Sequence, residues 1–80
     1  MANNIIKDLN KIFIKVFNDK NIVITYETIA TDIKNWDSLN NMHLIVAIEE
    51  HYGIRIKLQD IQNLKNVGDL CSCIESYISS

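Results

Sequence analysis

Between Asp37 and Tyr52 the apolar residues follow a helical period on two sides at once. At about 100° per residue, Leu44, Ile45, Ile48 and Tyr52 gather on one face, while Leu39, Met42 and Val46 gather on nearly the other. A helix that is apolar on opposite sides is either central to its fold or offers a surface to something else. A chain of 80 residues buries only about 60% of the surface its unfolded form exposes. The first face therefore suits the core. The second suits a partner, unless a later segment folds across Leu39, Met42 and Val46 and makes them ordinary core.

The rest of the chain supplies elements to pack against that helix. Ile5, Ile6, Leu9, Ile12, Phe13, Val16 and Phe17 recur at steps of three and four, with Lys7, Lys11 and Lys15 on the other side. This predicts a first helix, capped by Asn3 or Asn4 and ended by "NDKN" at 18–21. Residues 22–36, "IVITYETIATDIKNW", are rich in β-branched side chains but carry no helical stripe. An isolated strand has no ladder to satisfy its backbone, so a long ordered loop pinned by Ile24, Ile29 and Ile33 is expected. Gly53 suits the left-handed residue that closes the helix at Tyr52. "QDIQNL" predicts one short helical turn, and a last helix starts at Asn66, with Val67, Leu70, Cys71, Ile74 and Ile78 facing inward. The expected architecture is an all-α bundle of four helices, three main and one short, with a long first loop, in one domain over residues 1–80.

Charge and cysteine content narrow the function. A net charge of −2 is split unevenly: residues 1–20 hold four lysines, whereas residues 37–52 hold Asp37, Glu49 and Glu50 with no Lys or Arg. The lysines are spaced like the wet face of an amphipathic helix, not clustered with stacking aromatics as nucleic-acid binding requires. No apolar run reaches the roughly 18 residues of a membrane span, and no signal-peptide core is present, so a cytoplasmic protein is expected. Cys71 and Cys73 point to nearly opposite sides of a helix, which disfavours a disulfide or a metal site. Cys71 is expected in the core and Cys73 as a surface thiol.

One polar residue stands out. If Asp37 caps the two-faced helix through its carboxylate, Ser38 falls in the first turn with its hydroxyl free to solvent. An anion attached there would lie beside unpaired N–H groups and the positive end of the helix dipole, worth about 0.3–1 kcal/mol when exposed. A catalytic serine would need a general base within hydrogen-bond reach, and His43 and His51 both lie further along the same helix. No catalytic residues are therefore expected, and an enzyme built on the two histidines and a thiol would need a pocket beside them. On composition alone, Ser38 does no more than help Asp37 start the helix.

The stretch "WDSLNNMHLIVAIEEHYGI" resembles the phosphopantetheine attachment region of acyl carrier proteins. Its Asp-Ser-Leu signature is followed by an apolar helix ending in acidic residues, an aromatic and a glycine. The amphipathic start, the long first loop and the closing "NVGDLCSCIESYI" resemble the same family, so the likeness runs through essentially the whole chain. It implies a 4′-phosphopantetheine arm on Ser38, added from coenzyme A by a phosphopantetheinyl transferase, with Asp37 and Leu39 completing the signature. It further implies a non-catalytic, monomeric, stand-alone carrier of acyl or aminoacyl thioesters. Acyl-loading and acyl-transferring enzymes would dock on Leu39, Met42 and Val46, flanked by Glu49 and Glu50. Asn40 and His43 stand where fatty-acid carriers commonly have an acidic residue, and His51 interrupts the acidic run after Glu49 and Glu50, so a dedicated pathway for a polyketide, an amino acid or a sugar-modifying acyl group is expected over housekeeping fatty-acid synthesis. The competing reading is a helical interaction module that uses Leu39, Met42 and Val46 permanently, for instance in a homodimer.

Overall fold

The computed structural model describes residues 2–79, with side chains described from residue 5 onward. It contains α1 (Ala2–Phe17), a 3-10 turn (Ala30–Asp32), α2 (Ser38–Tyr52), α3 (Leu58–Gln62) and α4 (Val67–Ser79), with no strand among the described residues. The all-α expectation holds, with three main helices and one short one.

The core is where the periodic faces meet. Leu9 and Phe13 of α1, Leu44 and Ile48 of α2, and Val67 and Ile74 of α4 are fully buried, and α1 packs against both α2 and α4. Burying each side chain of this size contributes about 1.5–3 kcal/mol. α1 begins at Ala2, so Asn3 and Asn4 lie inside the helix and neither is its N-cap. No glycine or proline breaks the backbone there. Its end is as expected: Asn18 takes a left-handed φ of 52°, and Asp19 N–H donates to the Ile14 carbonyl at 3.2 Å.

The loop between α1 and α2 is held by polar side chains as much as by isoleucines. Asn10 of α1 does for it what a neighbouring strand would do, accepting from Ile24 N–H at 2.8 Å and donating to the Ile22 carbonyl at 3.2 Å. Ile22, Ile24 and Ile33 are buried. Ile29 is not, at 43% exposure, because it caps the 3-10 turn with its N–H on the Asp32 carboxylate and its side chain outward. Thr28 takes the buried place instead, its hydroxyl accepting from Thr25 N–H at 2.8 Å.

α4 starts as the asparagine predicts, with Asn66 Oδ1 accepting from Asp69 N–H at 2.8 Å. The orphan amides of its first turn are used by the loop: Val67 N–H donates to Thr28 O and Gly68 N–H to Tyr26 O, at 2.9 and 2.8 Å. A Cβ on Gly68 would stand 2.9 Å from that same Tyr26 oxygen, so only glycine admits this approach. At the other end of α4, Ile78 is 48% exposed, contrary to the inward face read from spacing. Its spacing matches the inward face, yet near the end of α4 its side chain stays largely uncovered. Cys71 is buried as expected, whereas Cys73 is half-buried and packs against the core instead of standing free at the surface. The cause is α3, tied over this side of α4 by Tyr77, which donates to Asp60 and accepts from Lys57 N–H at 3.1 Å.

Candidate functional site

The site is built at the corner where the long loop becomes α2. Asp37 is extended (φ −104°, ψ −174°) and its carboxylate accepts from Asn40 N–H at 2.9 Å, an N-cap that typically contributes about 1 kcal/mol. Ser38 is the first residue of α2 and is exposed, and its hydroxyl has no hydrogen-bond partner among the described residues. The side chain is thus presented to solvent at the positive end of a helix of 15 residues.

Neighbours that the sequence did not single out hold this corner still. Trp36 packs edge-on against Phe13 (centroids 5.1 Å apart, planes at 88°) and lies 6.3 Å from Phe17, which pins the residue two before Ser38 to α1. Its indole N–H donates to Asn41 Oδ1 at 2.9 Å, joining the same residue to α2. Asn35 adopts a left-handed φ of 71°, and its carbonyl accepts from Asp37 N–H at 2.9 Å and from the Asn40 side-chain amide. Asparagine is the non-glycine residue that best tolerates this conformation. The clue was present in "KNWDSLNN", where one tryptophan and three asparagines surround the serine, but which groups they bond depends on the tertiary path.

The second apolar face of α2 stays open. Leu39, Met42 and Val46 are 66%, 51% and 46% exposed, so no later segment folds across them, while Leu44, Ile45 and Ile48 on the opposite face are buried. Of the two acidic residues expected to flank the stripe, Glu50 is exposed. Glu49 is half-buried and turned to the α2–α3 connection, where it accepts from Ile56 N–H at 2.8 Å. Gly53 closes the helix with φ 66°, as expected.

Two hollows flank α2. A pocket of about 280 Å³ beside Ser38 is lined by residues of the loop, α2, α3 and α4. A larger, open groove of about 690 Å³ between α1 and α2 takes in Lys11, Lys15, His43, Val46, Glu50 and His51 among its walls. The histidines therefore do have a hollow beside them, but neither Ser38 nor a cysteine lines it. His51 Nε2 lies 3.7 Å from Asp8 Oδ2, and Tyr52 donates to the same carboxylate at 3.2 Å. Burial, then the charge of Asp8 and this hydrogen bond, push the Tyr52 phenol up to about 12. Burial first and then Glu75 push the Cys71 thiol up to about 11, and burial followed by Asp60 raises Cys73. Raised thiols are poor nucleophiles. Among the described residues no His, Cys, Asp or Glu group is arranged to hold a metal, and no helix is long and apolar enough to cross a membrane.

Comparison with known proteins agrees with this geometry. The phosphopantetheine attachment site family matches residues 36–74, a stretch that includes Ser38 and the whole of α2. An acyl carrier protein of Buchnera aphidicola is 32% identical over 75 residues, 94% of this chain and 96% of that protein. The chain belongs to the acyl carrier protein family. An acyl carrier protein of Renibacterium salmoninarum is 44% identical over 46 residues, and that match spans 58% of this carrier and 57% of the relative. The solution structure of a holo acyl carrier protein from Geobacter metallireducens superposes with a TM-score of 0.88 at 47% identity, covering 92% of this carrier and 85% of that chain. Carriers of this family are not enzymes and hold a covalently attached 4′-phosphopantetheine. The residues of this carrier fit that group: an unbonded, exposed hydroxyl at a helix N-terminus can be esterified without disturbing any contact of the fold.

Proposed function

We propose that Ser38 carries the 4′-phosphopantetheine arm and that the protein presents acyl or aminoacyl thioesters to successive enzymes of a specialised pathway. The observation that carries this reading is the free Ser38 hydroxyl at the start of α2, beside an uncovered apolar stripe. When bound, the arm supplies a thiol on which an acyl group is held as a thioester. The chain's own residues do the presenting. Asp37 caps the helix and orients Ser38, and Trp36 anchors the corner to α1. Leu39, Met42 and Val46 supply apolar contact for a phosphopantetheinyl transferase and for acyl-loading and acyl-transferring enzymes, with Glu50 at the rim steering encounter. Glu49 is committed to the fold through Ile56 and contributes less to that rim.

Support for a specialised pathway comes from Asn40, His43 and His51, which leave α2 with fewer exposed acids than fatty-acid carriers have along this helix. Methionine in the stripe suits a surface that must fit several partners in turn. Incubating the apo protein with coenzyme A, Mg²⁺ and a broad-specificity transferase should raise its mass by one phosphopantetheine, and Ser38→Ala should abolish the gain. Loading that survives the substitution sinks the assignment. The exposed stripe also fits a permanent homodimer, for which sedimentation at low micromolar concentration is the test: a carrier sediments as a monomer.

A further inference from the structure

The groove between α1 and α2 is walled by two rows of matching period. α1 contributes Asp8, Lys11, Ile12 and Lys15, and α2 contributes His43, Val46, Ala47 and Glu50, each a set at i, i+3, i+4 and i+7. The helices run antiparallel, since Asp8 meets His51 and Tyr52 whereas Phe13 meets Trp36, just before α2. Asp8 therefore shares one end of the groove with Glu50, and Lys15 shares the other with His43. Two turns of helix, about 10 Å, separate the ends.

The charges along these walls are unevenly engaged. Asp8 is tied into the fold by the Tyr52 hydroxyl at 3.2 Å and by His51 at 3.7 Å. Lys11, Lys15 and Glu50 are exposed, and none of their side chains has an ion pair or hydrogen bond among the described residues. Lys7, Lys11 and Lys15 follow one another at steps of four, where like charges on a helix repel. Nothing among the described residues neutralises that ridge. The floor beneath it is apolar, from buried Ile12, half-buried Ala47 and Val46. Val46 is also the last residue of the open stripe on α2, so the groove continues the docking face proposed above. A flat lipid surface would reach the lysines but not the floor, and a small anion would leave the floor uncovered.

We propose that the groove receives an acidic amphipathic helix of a partner enzyme, as the second half of the interface begun by Leu39, Met42 and Val46. Apolar side chains of that helix lie on Ile12, Val46 and Ala47. Its carboxylates, spaced by one turn, pair with Lys11 and Lys15, which stand about 6 Å apart along α1. Glu50 at the opposite end repels a carboxylate placed there, and so selects the direction in which the helix lies. Partners are thus chosen in part by cations of the carrier meeting acids of the enzyme, on a helix other than the one that bears Ser38. This deepens the docking reading and rests on it.

The probe is a synthetic peptide of about 15 residues with leucines on one face and glutamates at steps of four, beside a control in which every glutamate is lysine. Titrated into isotope-labelled carrier, the glutamate peptide is expected to shift the amide signals of Lys11, Lys15, His43 and Val46, and the lysine peptide to leave Lys11 and Lys15 in place. Joint Lys11→Glu and Lys15→Glu substitution should weaken the glutamate peptide about tenfold or more and create binding of the lysine peptide, an exchange that damaged folding cannot mimic. The neutral pair Lys11→Gln and Lys15→Gln should weaken the first without gaining the second, and keeps the test decisive should the reversed pair fail to fold. Equal shifts from both peptides, none at millimolar concentration, or unchanged binding by the variants overturn the proposal. Shifts confined to Leu39 and Met42 overturn the groove and leave the stripe as the docking face. Phosphatidylglycerol vesicles or inorganic phosphate that give the shifts where the glutamate peptide does not overturn it in favour of a lipid surface or a small anion. Sedimentation as a dimer that Lys15→Glu breaks overturns it in favour of a second copy of the chain. Loading of Ser38 is read separately by mass, so its failure refutes the attachment and not the groove.

Discussion

The two faces of α2 have almost the same chemistry and opposite fates. Leu44, Ile45 and Ile48 are at most 3% exposed, while Leu39, Met42 and Val46 average more than half. What separates them is not hydrophobicity but which side α1 and α4 have to cover. One apolar face is enough to attach a helix to a small bundle, so the second one is left open for the docking proposed above.

That contrast can be attacked from its strongest side first. Leu44→Ala, at a position with no exposure, should cost about 2–5 kcal/mol in denaturant unfolding. A loss below about 1 kcal/mol would show that the inner face is not packed as described. Gly68→Ala, which drives a Cβ against the Tyr26 carbonyl, should cost about 1–3 kcal/mol by the same measurement. Asp37→Ala acts where both faces begin and should cost about 1 kcal/mol, with slower loading of Ser38 because the first turn of α2 frays.

Alkaline titration probes the inner face through its protonated groups. The folded values of about 12 for Tyr52 and about 11 for Cys71 lie above the ordinary 10.0 and 9.0. The stabilisation is therefore complete below about pH 9 and is lost as pH climbs through 11 and 12. Unfolding midpoints should be flat from pH 7 to 9 and then fall, and Cys71→Ser should remove the earlier part of the fall. The smallest stability effect belongs to the outer face. Met42→Gln should change unfolding by less than about 0.5 kcal/mol, yet slow acyl transfer from the loaded carrier in a reconstituted assay.

Much of this was legible because it is local. The Asp37 cap, the Gly53 stop, the Asn66 cap and the exposure of Ser38 follow from a few adjacent residues, as does the two-sided character of α2. Failures came where a side chain's role depends on something distant in sequence. Spacing puts Ile78 in register with the inner face of α4 but cannot say whether a neighbour covers it, and 48% of it is exposed. Ile29 looked like an anchor, yet Thr28 holds the place because its hydroxyl satisfies the Thr25 amide. Asn10, through its side chain, and Gly68, through its N–H, hold the loop at Ile24 and Tyr26, far away in sequence, and no local pattern marks them. By its place in the sequence the tryptophan before the signature merely ends a loop, whereas in the fold it is the wedge that sets the serine's position.

That wedge also makes the molecule report on itself. Trp36 is the chain's single tryptophan, and its indole joins α1, the loop and α2 at the corner that presents Ser38. Its emission colour and intensity are thus a built-in optical gauge of that corner, readable without any dye or label, and the rest of the protein contributes no competing indole light.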